Sequence, residues 1–174
     1  GVATLHAACG ATGNASAGAG RLGGALDVPT SALLNLIVAG NTVWLSANGL
    51  AIGTTFDCSA AAITCTVNGT AAAPILFRGF SVTPGDDPDG AKRPTISMGT
   101  NTITFANYWK RRSIVFPGAV SNLVQDGSFN GSYLCKGYNT RTSTGSAFGG
   151  GASSFYIACE GQARLGAAFS LAAS

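Results

Sequence analysis

The sequence predicts an all-β chain wound as a parallel β-helix, and three observations predict it. First, short apolar runs recur between turn residues: Ile75-Leu-Phe, Pro94-Thr-Ile, Thr102-Ile-Thr-Phe and Ser113-Ile-Val-Phe, separated by Pro84-Gly-Asp and Asp89-Gly. Second, the runs repeat loosely. Ile75 to Ile96 is 21 residues, Ile96 to Ile114 is 18, Ile114 to Leu134 is 20 and Leu134 to Ile157 is 23. A repeat of about 20 residues carrying short strands is the mark of a solenoid. Third, only 10% of the residues are charged and Gly and Ala abound, which does not furnish the charged outer faces of amphipathic helices. A β-sandwich, with turns every 8–12 residues, is the alternative fold.

Element by element, residues 1–24 are rich in Gly, Ala, Ser and Thr. They read as an irregular arm, flexible or lying on a neighbour, with the β-helix domain spanning 25–174. The lone histidine, His6, lies in that arm and carries no role. Residues 27–40 are the one helix candidate, with Asp27 or Thr30 as cap, Pro29 early and Gly40 at the end. A short apolar helix here would seal the first rung of the solenoid. Asn41-Thr-Val-Trp-Leu follows as a strand with Val43 and Leu45 on one side and Trp44 on the other. Ile63 to Val67 is a further strand. Later, Tyr133-Leu-Cys-Lys-Gly and Tyr156-Ile-Ala-Cys-Glu-Gly read as one motif repeated, with Cys135 and Cys159 in matching places.

The five cysteines form no CxxC pair, so a zinc site is not indicated. Cys58 and Cys65 are close enough to close a small loop as a disulfide, or else are buried thiols. Asn14, Asn68 and Asn130 open glycosylation sequons of a kind common in Ser/Thr-rich chains. A net charge of +3 with few, scattered cations points away from nucleic acid. No apolar run reaches the roughly 18 residues of a membrane span. Gly1 is not an initiator Met and no leader pattern is visible, so a processed chain or a fragment is expected.

The segments Asn41-Thr-Val-Trp-Leu, Thr66-Val-Asn-Gly-Thr-Ala-Ala-Ala-Pro-Ile-Leu-Phe-Arg-Gly-Phe, Arg93-Pro-Thr-Ile and Tyr108-Trp-Lys-Arg-Arg-Ser-Ile-Val-Phe resemble the N-terminal portion of pectin-lyase-like right-handed parallel β-helix proteins. The resemblance covers roughly residues 25–135. It departs at Asn41, where Asp is usual, and at Lys110-Arg-Arg. The chain also holds only about five turns, so the last rung is expected to be covered by further chain or by a partner.

The resemblance implies several functions. The first is a structural virion-surface protein of a tailed phage, of decoration or tailspike type, acting as a homotrimer among other virion proteins and binding host glycans at an extracellular location. Low charge fits a surface covered by neighbours. The second is a polysaccharide lyase or hydrolase; the third is a bacterial adhesin that binds sugar. Lyases use a basic residue with Ca²⁺-binding carboxylates and hydrolases use clustered carboxylates. No catalytic residue stands out and no cofactor is indicated. Trp109, Lys110, Arg111 and Arg112 are the glycan-binding candidates, as stacking ring and carboxylate clamp, although strand alternation would turn Lys110 and Arg112 outward and leave Arg111 paired or at a corner. Tyr108 and Tyr138 are further stacking rings. Asp86, Asp87 and Asp89 are a Ca²⁺ candidate in what reads as a solvated loop. Asp126 and Glu160 are the pair that would meet across rungs if a carboxylate pair exists.

Overall fold

The chain winds through three parallel β-sheets, and the computed structural model describes residues 4–8, 29–47, 55–142, 144–164 and 167–171. Each coil contributes one strand to each sheet. The first coil holds β2 (Thr42–Ser46), β3 (Thr55–Asp57) and β4 (Ile63–Cys65), and the second β5 (Ile75–Phe80), β6 (Thr95–Ser97) and β7 (Ile103–Phe105). The third holds β8 (Trp109–Arg112), β9 (Val115–Gly118) and β10 (Asn122–Asp126). The fourth holds β11 (Gly131–Tyr133), β12 (Lys136–Asn139) and β13 (Ser146–Gly150), and the fifth β14 (Phe155–Ile157), β15 (Glu160–Ala163) and β16 (Phe169–Leu171). Sheet A is β1-β2-β5-β8-β11-β14, where β1 is Thr4–Ala8; sheet B is β3-β6-β9-β12-β15; sheet C is β4-β7-β10-β13-β16. This is a parallel β-helix, and the sandwich alternative is excluded by the parallel pairing throughout.

Alternation along each strand sends one set of side chains inward and the other outward. Val43, Phe77, Arg111, Ser132 and Tyr156 stack in register as one inward ladder of sheet A. Their numbers give the true coil lengths: 34, 34, 21 and 24 residues. The 20-residue period therefore holds only from the third coil on. Ile75 and Ile96, two markers of that period, lie in different sheets of one coil. The second coil gains length in the loop between β5 and β6, which includes a 3-10 turn at Gly90–Lys92. The repeated tyrosines are not equivalent either. Tyr133 pairs with Ile157, so Tyr156 is displaced by one position and faces the interior while Tyr133 faces out.

Six corners flanking sheet A take a left-handed residue other than glycine. Ser113, Leu134 and Ala158, each joining sheet A to sheet B, have φ of 54°, 52° and 51°. Tyr108, Phe129 and Ser153, each leading into sheet A, have φ of 60°, 59° and 57°. Left-handed conformations in non-glycine residues carry a steric cost, here offset where the corners of the third and fourth coils donate backbone hydrogen bonds to the next coil. The Ser113 N–H donates to the Tyr133 carbonyl at 3.0 Å and the Leu134 N–H to the Ile157 carbonyl at 3.1 Å. Tyr108 and Phe129 stack ring on ring at 4.9 Å.

The predicted helix is shorter than expected. It is a single turn, α1 (Ser31–Leu34), capped by the Thr30 side chain, which accepts from the Leu33 N–H. Gly40 closes the segment at φ 82°. Its sealing role is specific. β4 is the outer strand of sheet C, and its free backbone groups meet two side chains of this segment. Ser31 Oγ accepts from the Thr64 N–H (2.8 Å) and donates to the Ala62 carbonyl; Asn35 Oδ1 accepts from the Thr66 N–H (2.8 Å) while its Nδ2 donates to the Thr64 carbonyl (3.0 Å). Residues four apart on this turn stand in for a neighbouring strand, and Leu34 and Ile37 close the core beneath. Of the arm expected to be irregular, Thr4–Ala8 instead adds a strand to sheet A alongside β2, with His6 opposite Trp44. Residues 9–24 of that arm, with Asn14, lie outside the described residues.

Asn35→Ala removes both of its bonds to the β4 edge, and a loss of about 1–3 kcal/mol is expected. Leu36→Ala, at an exposed neighbour, is expected to change stability by less than about 0.5 kcal/mol. Urea unfolding of the two variants checks the difference.

Candidate functional site

The basic run splits between the two faces of sheet A. On β8, Trp109 and Arg111 point inward and are fully buried, while Lys110 and Arg112 point outward. Trp109 and Arg111 are therefore removed from the glycan-binding candidates, because neither presents an atom to solvent. Trp109 is core: its ring packs on Phe77 and Phe105, and its indole N–H donates to the Val67 carbonyl at 2.8 Å.

Arg111 belongs to a buried polar cluster. Both of its terminal nitrogens donate to the two oxygens of Asp126, Nη2 at 2.6 Å. Its Nε donates to Ser132 Oγ at 2.9 Å, and its guanidinium lies 4.7 Å from the centre of the Phe105 ring. Asp126 also accepts from Asn130 Nδ2 (3.1 Å) and from the Tyr156 hydroxyl (2.8 Å), so its lone pairs are spoken for. Burial alone would favour neutral Arg111, but the facing carboxylate overrides it and holds the guanidinium charged. Burial, and then the Asp126 charge, push the Tyr156 hydroxyl well above its usual range. Asn130, which opens one of the three sequons, is fully buried and its Oδ1 accepts from the backbone N–H of Trp109. Asp126 and Glu160 do not meet: Glu160 lies on the outer face of sheet B, where it pairs with Lys136 at 2.6 Å and Arg93 at 3.7 Å.

The outer face of sheet A carries two ladders. One runs Trp44, Arg78, Arg112, Tyr133, Ile157 and the other Thr42, Leu76, Lys110, Gly131, Phe155. Between them lies a groove of about 240 Å³ lined by Leu76, Arg78, Lys110, Arg112 and Tyr133, with the strand at Arg111 beneath. Gly131 shapes it, since a Cβ there would stand 2.4 Å from the Phe155 ring. The missing side chain lets that ring lie over the strand and reach Lys110, whose ammonium sits 4.4 Å from its centre. Lys110 Nζ also donates to the Phe129 carbonyl at 2.7 Å. Partial burial, and then the charge of Arg111, lower the Lys110 pKa. Arg78 lies over the Trp44 ring at 5.1 Å.

The Asp-rich loop folds back onto this face. Asp87 accepts from Arg112 twice at 2.6 Å and from Arg78 at 3.2 Å, and the Arg112 bonds chiefly hold its carboxyl below the ordinary value. Asp86 instead closes its own loop, accepting the N–H groups of Ser81, Val82 and Thr83 at 2.7–3.1 Å. Asp89 stands apart at the start of the 3-10 turn. The Ca²⁺ candidate is thus dismantled: one carboxylate holds backbone, one holds arginines, and the third faces neither. Among the described residues no three His, Cys, Asp or Glu side chains converge on a metal site.

The Cys58–Cys65 pairing is also overturned. Both are free thiols in strands or strand ends of different sheets, and both are buried. Cys58 Sγ points at the Pro29 carbonyl (3.7 Å), and burial pushes its thiol up to about 12. The Asp126 cluster was invisible to sequence reasoning, because Arg111, Asp126, Asn130, Ser132 and Tyr156 share no spacing. The signal available was a single polar residue at an inward position of β8, β10, β11 and β14, with Asn130 just ahead of β11. Tyr138 lies on sheet B with Lys136 over its ring at 4.6 Å, away from the groove. No protein family matches the chain, and no curated protein or solved structure is similar to it.

Asp126→Asn leaves Arg111 buried without its counter-charge, and a loss of about 3–5 kcal/mol is expected. The double change Arg111→Met with Asp126→Leu is expected to lose less than the single one, as read from urea midpoints. Asp87 gives a pH signature. Its folded pKa lies below the ordinary 3.8, so its contribution is full above that value and is lost as pH falls through the folded pKa. Stability of the native chain is expected to fall more steeply below about pH 4 than that of Asp87→Asn, measured by denaturant titration across pH.

Proposed function

We propose that the chain is a non-catalytic structural module that binds acidic glycans on the outer face of sheet A. The observation that carries this is the groove at Lys110, Arg112, Arg78 and Tyr133, where three cations face one carboxylate beside exposed ring surface. Aromatic faces suit sugar rings, and arginine and lysine suit carboxylate or sulfate groups. Four of the carboxylates that a hydrolase could draw on are committed elsewhere. Asp126 is sealed in the core, Asp87 is clamped by arginines, Asp86 closes a loop and Glu160 is paired on another sheet. A solenoid holding such a face is suited to a particle or cell surface. Its assignment to the virion surface of a tailed phage, as decoration or tailspike in a trimer, rests on the resemblance to pectin-lyase-like proteins and on the low charge.

A lyase reading is the second, and the lowered Lys110 pKa favours it. A lysine beside two arginines is a base next to a carboxylate clamp.

Binding to a uronate-rich polysaccharide, followed by calorimetry at low and moderate salt, distinguishes these readings. Salt-sensitive binding without new chain ends is expected, with Arg112→Ala weakening it by about tenfold and Lys136→Ala, on sheet B, leaving it unchanged. Absence of binding overturns the proposal. Release of unsaturated chain ends, abolished by Lys110→Ala, selects the lyase instead.

A further inference from the structure

Cys135 and Cys159 occupy the same place on successive coils. The backbone stacks them: the Leu134 N–H donates to the Ile157 carbonyl (3.1 Å) and the Glu160 N–H to the Cys135 carbonyl (2.9 Å), on either side of the two residues. Strand pairing then continues in the same register, Tyr133 with Ile157 and Lys136 with Glu160. The side chains are disposed alike, each Sγ 3.4 Å from the carbonyl two residues earlier, at Tyr133 and at Ile157. Adjacent parallel strands stand about 4.8 Å apart, within the roughly 4.4–6.8 Å that a disulfide spans between Cα atoms. Neither thiol has any part in the sheet A groove.

The two differ in access. Cys135 is fully buried, under Ile114 on one side and Cys159 on the other. Cys159 is only half-buried and lines a cavity of about 380 Å³ with Ser154, Phe155, Tyr156, Ala158 and Phe169. A reagent in that cavity meets Cys159 first. Cys159 is also the better nucleophile of the two. The Cys135 S–H bonded to it favours its thiolate and outweighs burial, with the Arg111 charge adding to the effect, while burial raises Cys135.

We propose that Cys135 and Cys159 form a dithiol site, with Cys159 attacking and Cys135 resolving, that a small-molecule disulfide converts into a disulfide bridging the fourth and fifth coils. In the first step the Cys159 sulfur attacks one sulfur of the added disulfide. A new S–S bond forms, the old one breaks, and one small thiol leaves with the proton given up by Cys159. In the second step the Cys135 sulfur attacks the Cys159 sulfur. The second small thiol is expelled and takes the Cys135 proton. Two protein thiols are oxidised and one external disulfide is reduced to two thiols. The product ties neighbouring rungs covalently at their shared corner.

The test uses the reduced full chain in native buffer with oxidised glutathione, read by intact mass and peptide mapping. The expected result is loss of two hydrogens and a cross-link joining the Cys135 and Cys159 peptides. Cys135→Ser is expected to stop at a glutathione adduct on Cys159. Cys159→Ser is expected to leave Cys135 unmodified. A native chain that keeps the adduct on Cys159 with Cys135 still free, that cross-links other cysteines, or that leaves both thiols unreacted overturns the proposal. The native-chain result decides it even where a variant does not fold.

Discussion

A charge buried inside a solenoid has to be answered from the coils around it, and Arg111 is such a charge. Its counter-ion, Asp126, comes from sheet C of the same coil, while Ser132 and Asn130 come from the fourth coil and Tyr156 from the fifth. Leaving any member out strands a polar group away from water, which costs more than the bond itself contributes. An apolar ladder tolerates sliding by a residue pair, since one aliphatic side chain substitutes for another. This cluster does not. It holds the third, fourth and fifth coils to one alignment, and it does so between the aromatic packing of Phe77, Phe105 and Trp109 and that of Phe148, Tyr156 and Phe169.

The same alternation that puts Arg111 inside puts Lys110 and Arg112 outside. The interior is thus made of shape and satisfied charge, and the exterior of sheet A is left to carry rings and cations in two ladders. Gly131 links the two faces. Its missing side chain matters to the surface, where Phe155 lies across it to Lys110. Gly79 is the opposite case. A Cβ there would come within 2.1 Å of the Ser113 carbonyl, so its absence serves the approach of two coils.

Strand alternation was legible in the sequence; sheet membership was not. Val43, Trp44 and Leu45 declare their faces, and Lys110 and Arg112 declare theirs. Ile75, Ile96 and Ile114 look alike because the three sheets share one interior, and a single apolar residue says nothing about which wall it lines. Counting between them mixed sheets, so the period came out short for the first two coils. The helix comes out too long from the sequence because Leu33, Leu34, Leu36 and Ile37 read as one wide apolar face, whereas Leu36 stays exposed. What ends it early is the demand of the β4 edge for Ser31 and Asn35. The tyrosine motif misled through one inserted residue, which reverses a side chain in a strand. The outward pair on β8 was legible as a surface; its partner Asp87 was read as solvated loop, since the return of that loop onto sheet A depends on the winding.

The loop from Ser81 to Arg93 has a consequence for how such a surface varies. It leaves sheet A after β5 and enters sheet B at β6, so its length adds to the second coil without moving a single rung. Asp86 fixes its first turn by accepting hydrogen bonds from three backbone N–H groups, and Asp87 reaches from it to Arg78 and Arg112. The frame and the charge of the groove are therefore separate heritable parts. A changed loop sequence resets how much positive charge the face shows while the ladders that hold the molecule together stay as they are.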